Sequence, residues 1–131
     1  MIEIKHLDIK FDKQIIFKNV NFKTCPGKIT GIIGKSGCGK TTFLKALIYQ
    51  YKNQILSIDK QVITDKNKED YLLNYVSYID QFGRFFENMK IIEHFEFISQ
   101  LKKQNFNQNK MLETLHLVGL DTIDLKNYPS S

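Results

Sequence analysis

Two cysteines, Cys25 and Cys38, are all the chain has, too few for a disulfide framework and without the spacing of a metal cluster. The three histidines, His6, His94 and His116, are scattered, so no ligand set is read from them. No run approaches the roughly 18 apolar residues that a membrane-spanning helix needs, and the chain is expected not to cross a bilayer. The opening Met1-Ile2-Glu3-Ile4-Lys5 alternates apolar with charged residues and lacks the apolar core of a signal peptide, which points to the cytoplasm. A net charge of +5 comes from lysines spread along the chain, with no basic block interleaved with aromatics, so no nucleic acid is expected as a partner. The 131 residues make one domain at most, and 42% apolar with 25% charged residues is ordinary for a soluble globular protein.

What the chain does have is Gly34-Lys35-Ser36-Gly37-Cys38-Gly39-Lys40-Thr41, a complete G-x-x-x-x-G-K-[ST] run. It follows the apolar stretch Ile29-Thr30-Gly31-Ile32-Ile33 and precedes a helix-like segment, which is the context its mechanism requires. A chance match in a chain of this length is on the order of one in a few hundred. Gly34, Gly37 and Gly39 let the backbone curl until several N–H donors converge on a phosphate. The helix N-terminus adds its partial positive charge, Lys40 reaches the terminal phosphates, and the Thr41 hydroxyl completes the coordination of Mg2+. The run therefore implies a nucleoside triphosphate site, with Mg2+ as the single metal. Cys38, beside Lys40 and a helix N-terminus, is either a thiol of lowered pKa that reacts with alkylating agents or an inert filler of the loop.

Around this run, two antiparallel strands are expected from Met1 to about Lys10 and from Gln14 to Phe22, joined at Phe11-Asp12-Lys13. Cys25-Pro26-Gly27-Lys28 reads as a turn, Ile29 to Ile33 as a buried strand, and Thr41 to about Tyr51 as a helix with Phe43, Leu44, Leu47, Ile48 and Tyr51 inward. A hairpin is expected over Gln54 to Val62, a polar loop over Asp65 to Asp70, and a second buried strand over Tyr75 to Ile79. Two further helices follow, Ile91 to Lys103 and about Gln108 to Val118, the second ended by Gly119.

The loop alone suits kinases, GTPases and transport or chromosomal ATPases. Asn67-Lys68-Glu69-Asp70 and Asp80-Gln81-Phe82-Gly83 are literal N-K-x-D and D-x-x-G runs, yet they stand in the reverse of the GTPase order and too close together. Both read as chance.

The whole chain resembles the first part of an ATP-binding cassette (ABC) transporter ATPase. Ile2-Glu3-Ile4-Lys5-His6-Leu7 with Phe11, then Asn19-Val20-Asn21-Phe22 and Pro26-Gly27-Lys28-Ile29, look like the N-terminal antiparallel strands of that family. Gly34 to Thr42 matches its phosphate loop, Tyr78-Ile79-Asp80-Gln81 the strand end that carries its Q-loop glutamine, and Leu117-Val118-Gly119-Leu120 with Tyr128-Pro129-Ser130-Ser131 the approach to its signature sequence. The resemblance implies an α/β phosphate-loop NTPase fold: an ABC-type core with N-terminal antiparallel strands and the start of a helical subdomain, incomplete. Residues 1–82 would form the ATP-binding core and 83–131 the Q-loop and helical subdomain.

The resemblance also implies site roles. Gly34, Ser36, Gly37, Cys38, Gly39, Lys40, Thr41 and Thr42 would hold ATP, Thr41 and Gln81 the Mg2+, and Lys40 and Gln81 would act on the γ-phosphate and the attacking water. Phe11 would stack on the adenine, or else pack the hairpin corner; Gln81 would otherwise be a polar strand end. Phe82-Gly83-Arg84-Phe85-Phe86 would receive the coupling helix of a transmembrane permease, or form a satellite core. The implied partners are that permease and a second nucleotide-binding domain arranged head to tail, on the inner face of the cell membrane. The signature, the Walker B strand and the switch His of the family have no counterpart in the 131 residues, and no Glu takes the general-base role. The chain is therefore expected to be the N-terminal portion of a nucleotide-binding domain that alone binds Mg-ATP and is inactive or very slow in hydrolysis, with the transported solute unspecified.

Overall fold

A computed structural model describes residues 1–52, 54–81 and 83–129. They form two compact units, Met1–Ser77 and Tyr78–Ser131. The first unit holds β1 (Ile2–Phe11), β2 (Gln14–Lys23), α1 (Lys40–Leu47), β3 (Ile55–Ile58), β4 (Gln61–Val62) and α2 (Lys68–Asn74). The second holds α3 (Ile91–Leu101) and α4 (Gln108–Leu117).

The strands make one antiparallel sheet in the order β2-β1-β3-β4, with Ile4 opposite Phe22 on one side and Leu56 on the other. Strict alternation would bury every second residue of β1, yet Ile4, Leu7 and Ile9 are the buried ones. A bulge explains the extra step. His6 and Asn19, on facing strands, both take left-handed backbone, with φ of 53° and 51°, and the pairing shifts register there. Side chains satisfy the displaced amides: Asn21 Oδ1 accepts His6 N–H at 3.0 Å and Asp8 Oδ1 accepts Asn19 N–H at 2.9 Å. The β3–β4 hairpin turns on Asp59 and Lys60, both at positive φ, the backbone of a two-residue type I′ turn.

α1 lies on this sheet through Phe43 and Ala46, in a core with Ile4, Leu7, Ile9, Leu56, Ile58, Ile63 and Tyr71. Phe43 meets Phe17 and Phe22 edge-on, with ring centroids 5.9 and 5.0 Å apart. At its other end, α1 stops at Leu47 rather than near Tyr51. Gln50 N–H bonds Lys45 O and Tyr49 N–H bonds Ala46 O, each at 3.1 Å, which is a Schellman ending with Tyr49 left-handed where glycine is usual.

Three expectations are corrected. Ile29 to Ile33 forms no strand; Ile29 and Ile33 are fully exposed, and Ile32 alone packs toward the core. Tyr75 to Ile79 likewise forms no strand, with Ile79 88% exposed. A strand exists only beside a partner, and among the described residues neither segment has one. Thirdly, the polar stretch Asp65 to Asp70 is a turn that runs into α2, whose first-turn acids Glu69 and Asp70 suit the helix dipole.

In the second unit, α3 and α4 enclose an apolar cavity of about 360 Å³ walled by Phe85, Ile91, Phe95, Ile98, Leu115 and Leu120. Gly119, at φ 74°, ends α4 by the same Schellman pattern, Leu120 N–H to Leu115 O at 2.9 Å. Phe85 and Phe86 are exposed, while the expected contribution of Phe82 to that cluster and the stretch Ser130-Ser131 lie outside the described residues.

Tyr71 ties α2 to α1. It is buried, its hydroxyl donates to Leu47 O at 2.6 Å, and burial pushes its pKa from 10.0 up to about 12. The unfolded chain therefore loses this proton first as pH rises. The contribution is complete below pH 10 and should fade between pH 10 and about 12, by on the order of 2 to 3 kcal/mol. Tyr71→Phe should cost about 1 kcal/mol at neutral pH and remove this alkaline loss; urea unfolding of both chains from pH 8 to 11.5 measures the difference.

Candidate functional site

The run Gly34 to Thr42 leaves the unpaired 29–33 segment and enters α1 at Lys40. Gly37 and Gly39 take φ of 76° and 100°, closed to most side chains. At Gly34 a β-carbon would stand 2.7 Å from Cys38 Sγ, the end of an exposed side chain that is able to swing aside. Cys38 N–H bonds Lys35 O at 3.3 Å, and Lys40 curls back so that its ammonium donates to Gly34 O and Lys35 O, each at 2.8 Å. The same ammonium is 3.9 Å from Cys38 Sγ.

α1 begins with Gly39 as its N-cap, no side chain capping it and no acidic residue in its first turn. Its leading N–H groups therefore have neither an intrahelical partner nor a carboxylate of their own, and with Lys35 and Lys40 they form a positive concave surface suited to a polyanion. A cavity of about 420 Å³ adjoins the loop, with Ile32, Cys38, Gly39, Lys40 and Phe43 among its walls. Ser36 and Thr41 are exposed and Thr42 is half-buried.

Phe11 closes β1 opposite Gln14, is 46% exposed, and rests edge-on against Tyr51 with centroids 6.1 Å apart. One ring face is thus free of that contact. Gln81 belongs to the second unit, where it is exposed and its N–H donates to Asp80 Oδ1 at 2.7 Å. The loop residues are brought together in the first unit; Gln81 is described with the second.

The guanine-reading alternative finds its groups already engaged. Asn67 Oδ1 accepts Thr64 N–H at 2.7 Å and its Nδ2 donates to Val62 O at 2.9 Å, while Asp70 accepts from Asn74 at 2.7 Å. These residues form a turn and a helix start. Two features went unread in the sequence: Ile16 and Phe17 of β2 occupy the space that a side chain on Gly39 would need, and Asp80 accepts the backbone N–H of Gln81. The demand of Gly39 for a bare α-carbon was the available signal for the first.

The ABC transporter family model matches residues 17–131, and the chain belongs to that family. A Mycoplasma pneumoniae protein named as an ABC transporter ATP-binding protein is 33% identical over 104 residues, covering 77% of this chain and 31% of the relative. The intermembrane phospholipid transport system ATP-binding protein MlaF of Haemophilus influenzae is 26% identical over 130 residues, 96% of this chain and 48% of its own length. The chain thus spans less than half the length of these relatives, 31% of one and 48% of the other. Among solved structures, a dimeric ATP-binding cassette in a post-hydrolysis state, bound to ADP and Pi, superposes with a TM-score of 0.81 at 21% identity, over 99% of this chain and 62% of that one. The fold is that of an ABC ATPase domain, and among the described residues no helix is long and apolar enough to cross a membrane.

Gly39→Ala should be the most damaging glycine substitution in the loop. Its β-carbon would meet Ile16 Cγ2 at 2.8 Å and Phe17 Cζ at 3.0 Å, whereas at Gly37 it would meet open space. Both variants carry a left-handed backbone cost of roughly 1 to 3 kcal/mol. Thermal unfolding should therefore show a larger loss for Gly39→Ala than for Gly37→Ala; equal losses would count against the contact.

Proposed function

We propose that this chain binds Mg-ATP on the Gly34 to Thr42 loop and, in the complete cassette, takes part in ATP hydrolysis that drives solute transport. The observation that carries the reading is the Lys40 ammonium held at the loop's own carbonyls beside the uncapped N-terminus of α1. These groups match a triphosphate: N–H donors for non-bridging oxygens, one mobile cation for the terminal phosphates, and the exposed Thr41 hydroxyl for Mg2+, which supplies charge neutralisation when bound. Phe11 would offer its ring face to the adenine, and Gln81 would orient water and contact the metal.

On this reading, residues 1–82 serve the nucleotide and 83–131 the helical side, where exposed Phe85 and Phe86 would receive a permease. A second nucleotide-binding domain would complete the site head to tail, and the protein would work on the inner face of the membrane. The neighbour with ADP and Pi is itself dimeric, which supports that arrangement.

Lys40→Ala should weaken Mg-ATP binding roughly tenfold or more, since charge-assisted bonds are worth about 1.5 to 3 kcal/mol each. Isothermal titration calorimetry measures it, and unchanged affinity would sink the site assignment. A second readout uses the two exposed thiols. Mg-ATP should slow maleimide labelling of Cys38 and leave Cys25 unaffected; equal rates with and without nucleotide would contradict binding on the loop.

A further inference from the structure

We infer that Phe17 is a positioning residue for the phosphate loop, an inference that rests on the nucleotide-binding reading above. The first hydrogen bond of α1 runs from Phe43 N–H to Gly39 O, at 2.8 Å. One ring from β2 lies beside both residues of that bond. Phe17 Cζ and Cε2 stand 3.0 and 3.5 Å from where a β-carbon on Gly39 would be, with Ile16 Cγ2 beside them at 2.8 Å. The same ring lies edge-on to Phe43, centroids 5.9 Å apart at 73°.

The two ends are not equally constrained. Phe43 is buried and is also gripped by Phe22, at 5.0 Å and 88°. Gly39 has no side chain of its own, sits in left-handed backbone, and is followed by the amides that would face the phosphates. Displacing the Phe17 ring therefore leaves the helix in place and tilts its first turn. The direction of the free N–H groups changes while their number does not. Phosphate binding depends on that direction, because dipoles aimed at one point lose their effect when they diverge.

Phe17→Tyr is the sharpest test. It keeps the ring and the Phe43 contact but adds an oxygen on Cζ, one of the two ring atoms beside Gly39. The thermal midpoint should change little, whereas the Kd for Mg-ATP should rise at least about fivefold, because a binding group displaced by a fraction of an ångström loses much of its effect. Phe17→Ala should weaken binding about tenfold while also lowering stability. Tyr71→Phe, acting at the opposite end of α1, is the control: it lowers stability and should leave Kd within about twofold. A Phe17→Tyr chain with wild-type Kd overturns this inference alone, and so does a series in which Kd follows thermal stability across all variants. A wild-type chain that binds no Mg-ATP overturns it together with the site reading.

Discussion

The seat of Phe43 on the sheet is the contact from which the first unit takes its geometry. α1 is eight residues long, about 12 Å, and Phe43 lies one turn inside it. Burying such a ring stabilises by about 1.5 to 3 kcal/mol, and each edge-on partner adds roughly 0.5 to 1.5. With Phe17 and Phe22 on one side and the Tyr71 hydroxyl on Leu47 O at the far end, the helix has little freedom to slide. Packing in the core thus decides where the polar end of α1 points, although no core residue is itself polar there.

The sheet reaches α1 only because β1 is irregular. A regular strand with Ile4 buried would also bury His6 and Asp8. The bulge at His6 and Asn19 shifts the phase so that Leu7 and Ile9 turn inward instead, and two side-chain acceptors, Asn21 and Asp8, take up the amides of the interrupted ladder. Leu7 is then fully buried, while the exposed His6 and Asp8 lie on the opposite side of the phase shift. By contrast, the 29–33 segment that leads into the phosphate loop is held by no ladder among the described residues. Ile32 and the Lys40 hydrogen bonds are what fix its end.

Elements whose signal is local were legible in the sequence. The loop was, because its glycines, lysine and threonine each answer a separate steric or charge demand. So were the two hairpins and the helices in the second unit, where Gly119 marks an ending that its backbone angle requires. Helix α1 was read too long because its ending uses Tyr49, a residue that gives no glycine signal. α2 was missed because seven residues with one buried side chain, Tyr71, show no period. The misread strands are a different failure. Ile29 to Ile33 and Tyr75 to Ile79 are apolar and β-branched enough to want burial, but a sequence pattern records that want and not whether a partner is at hand. For the site, the motif named the loop and could not name Phe17, whose part depends on a register across β2 that no spacing rule carries.

The loop orders its own lysine, since Lys40 donates to two of its carbonyls. A free lysine side chain gives up about 1.5 to 2 kcal/mol of rotamer entropy when it is fixed. Here two neutral carbonyls, Gly34 O and Lys35 O, hold the ammonium before any anion arrives, so most of that cost falls on folding. On the proposed reading, each of these bonds is worth less than one between the ammonium and a charged phosphate oxygen, so a phosphate would draw the cation toward itself without first ordering it.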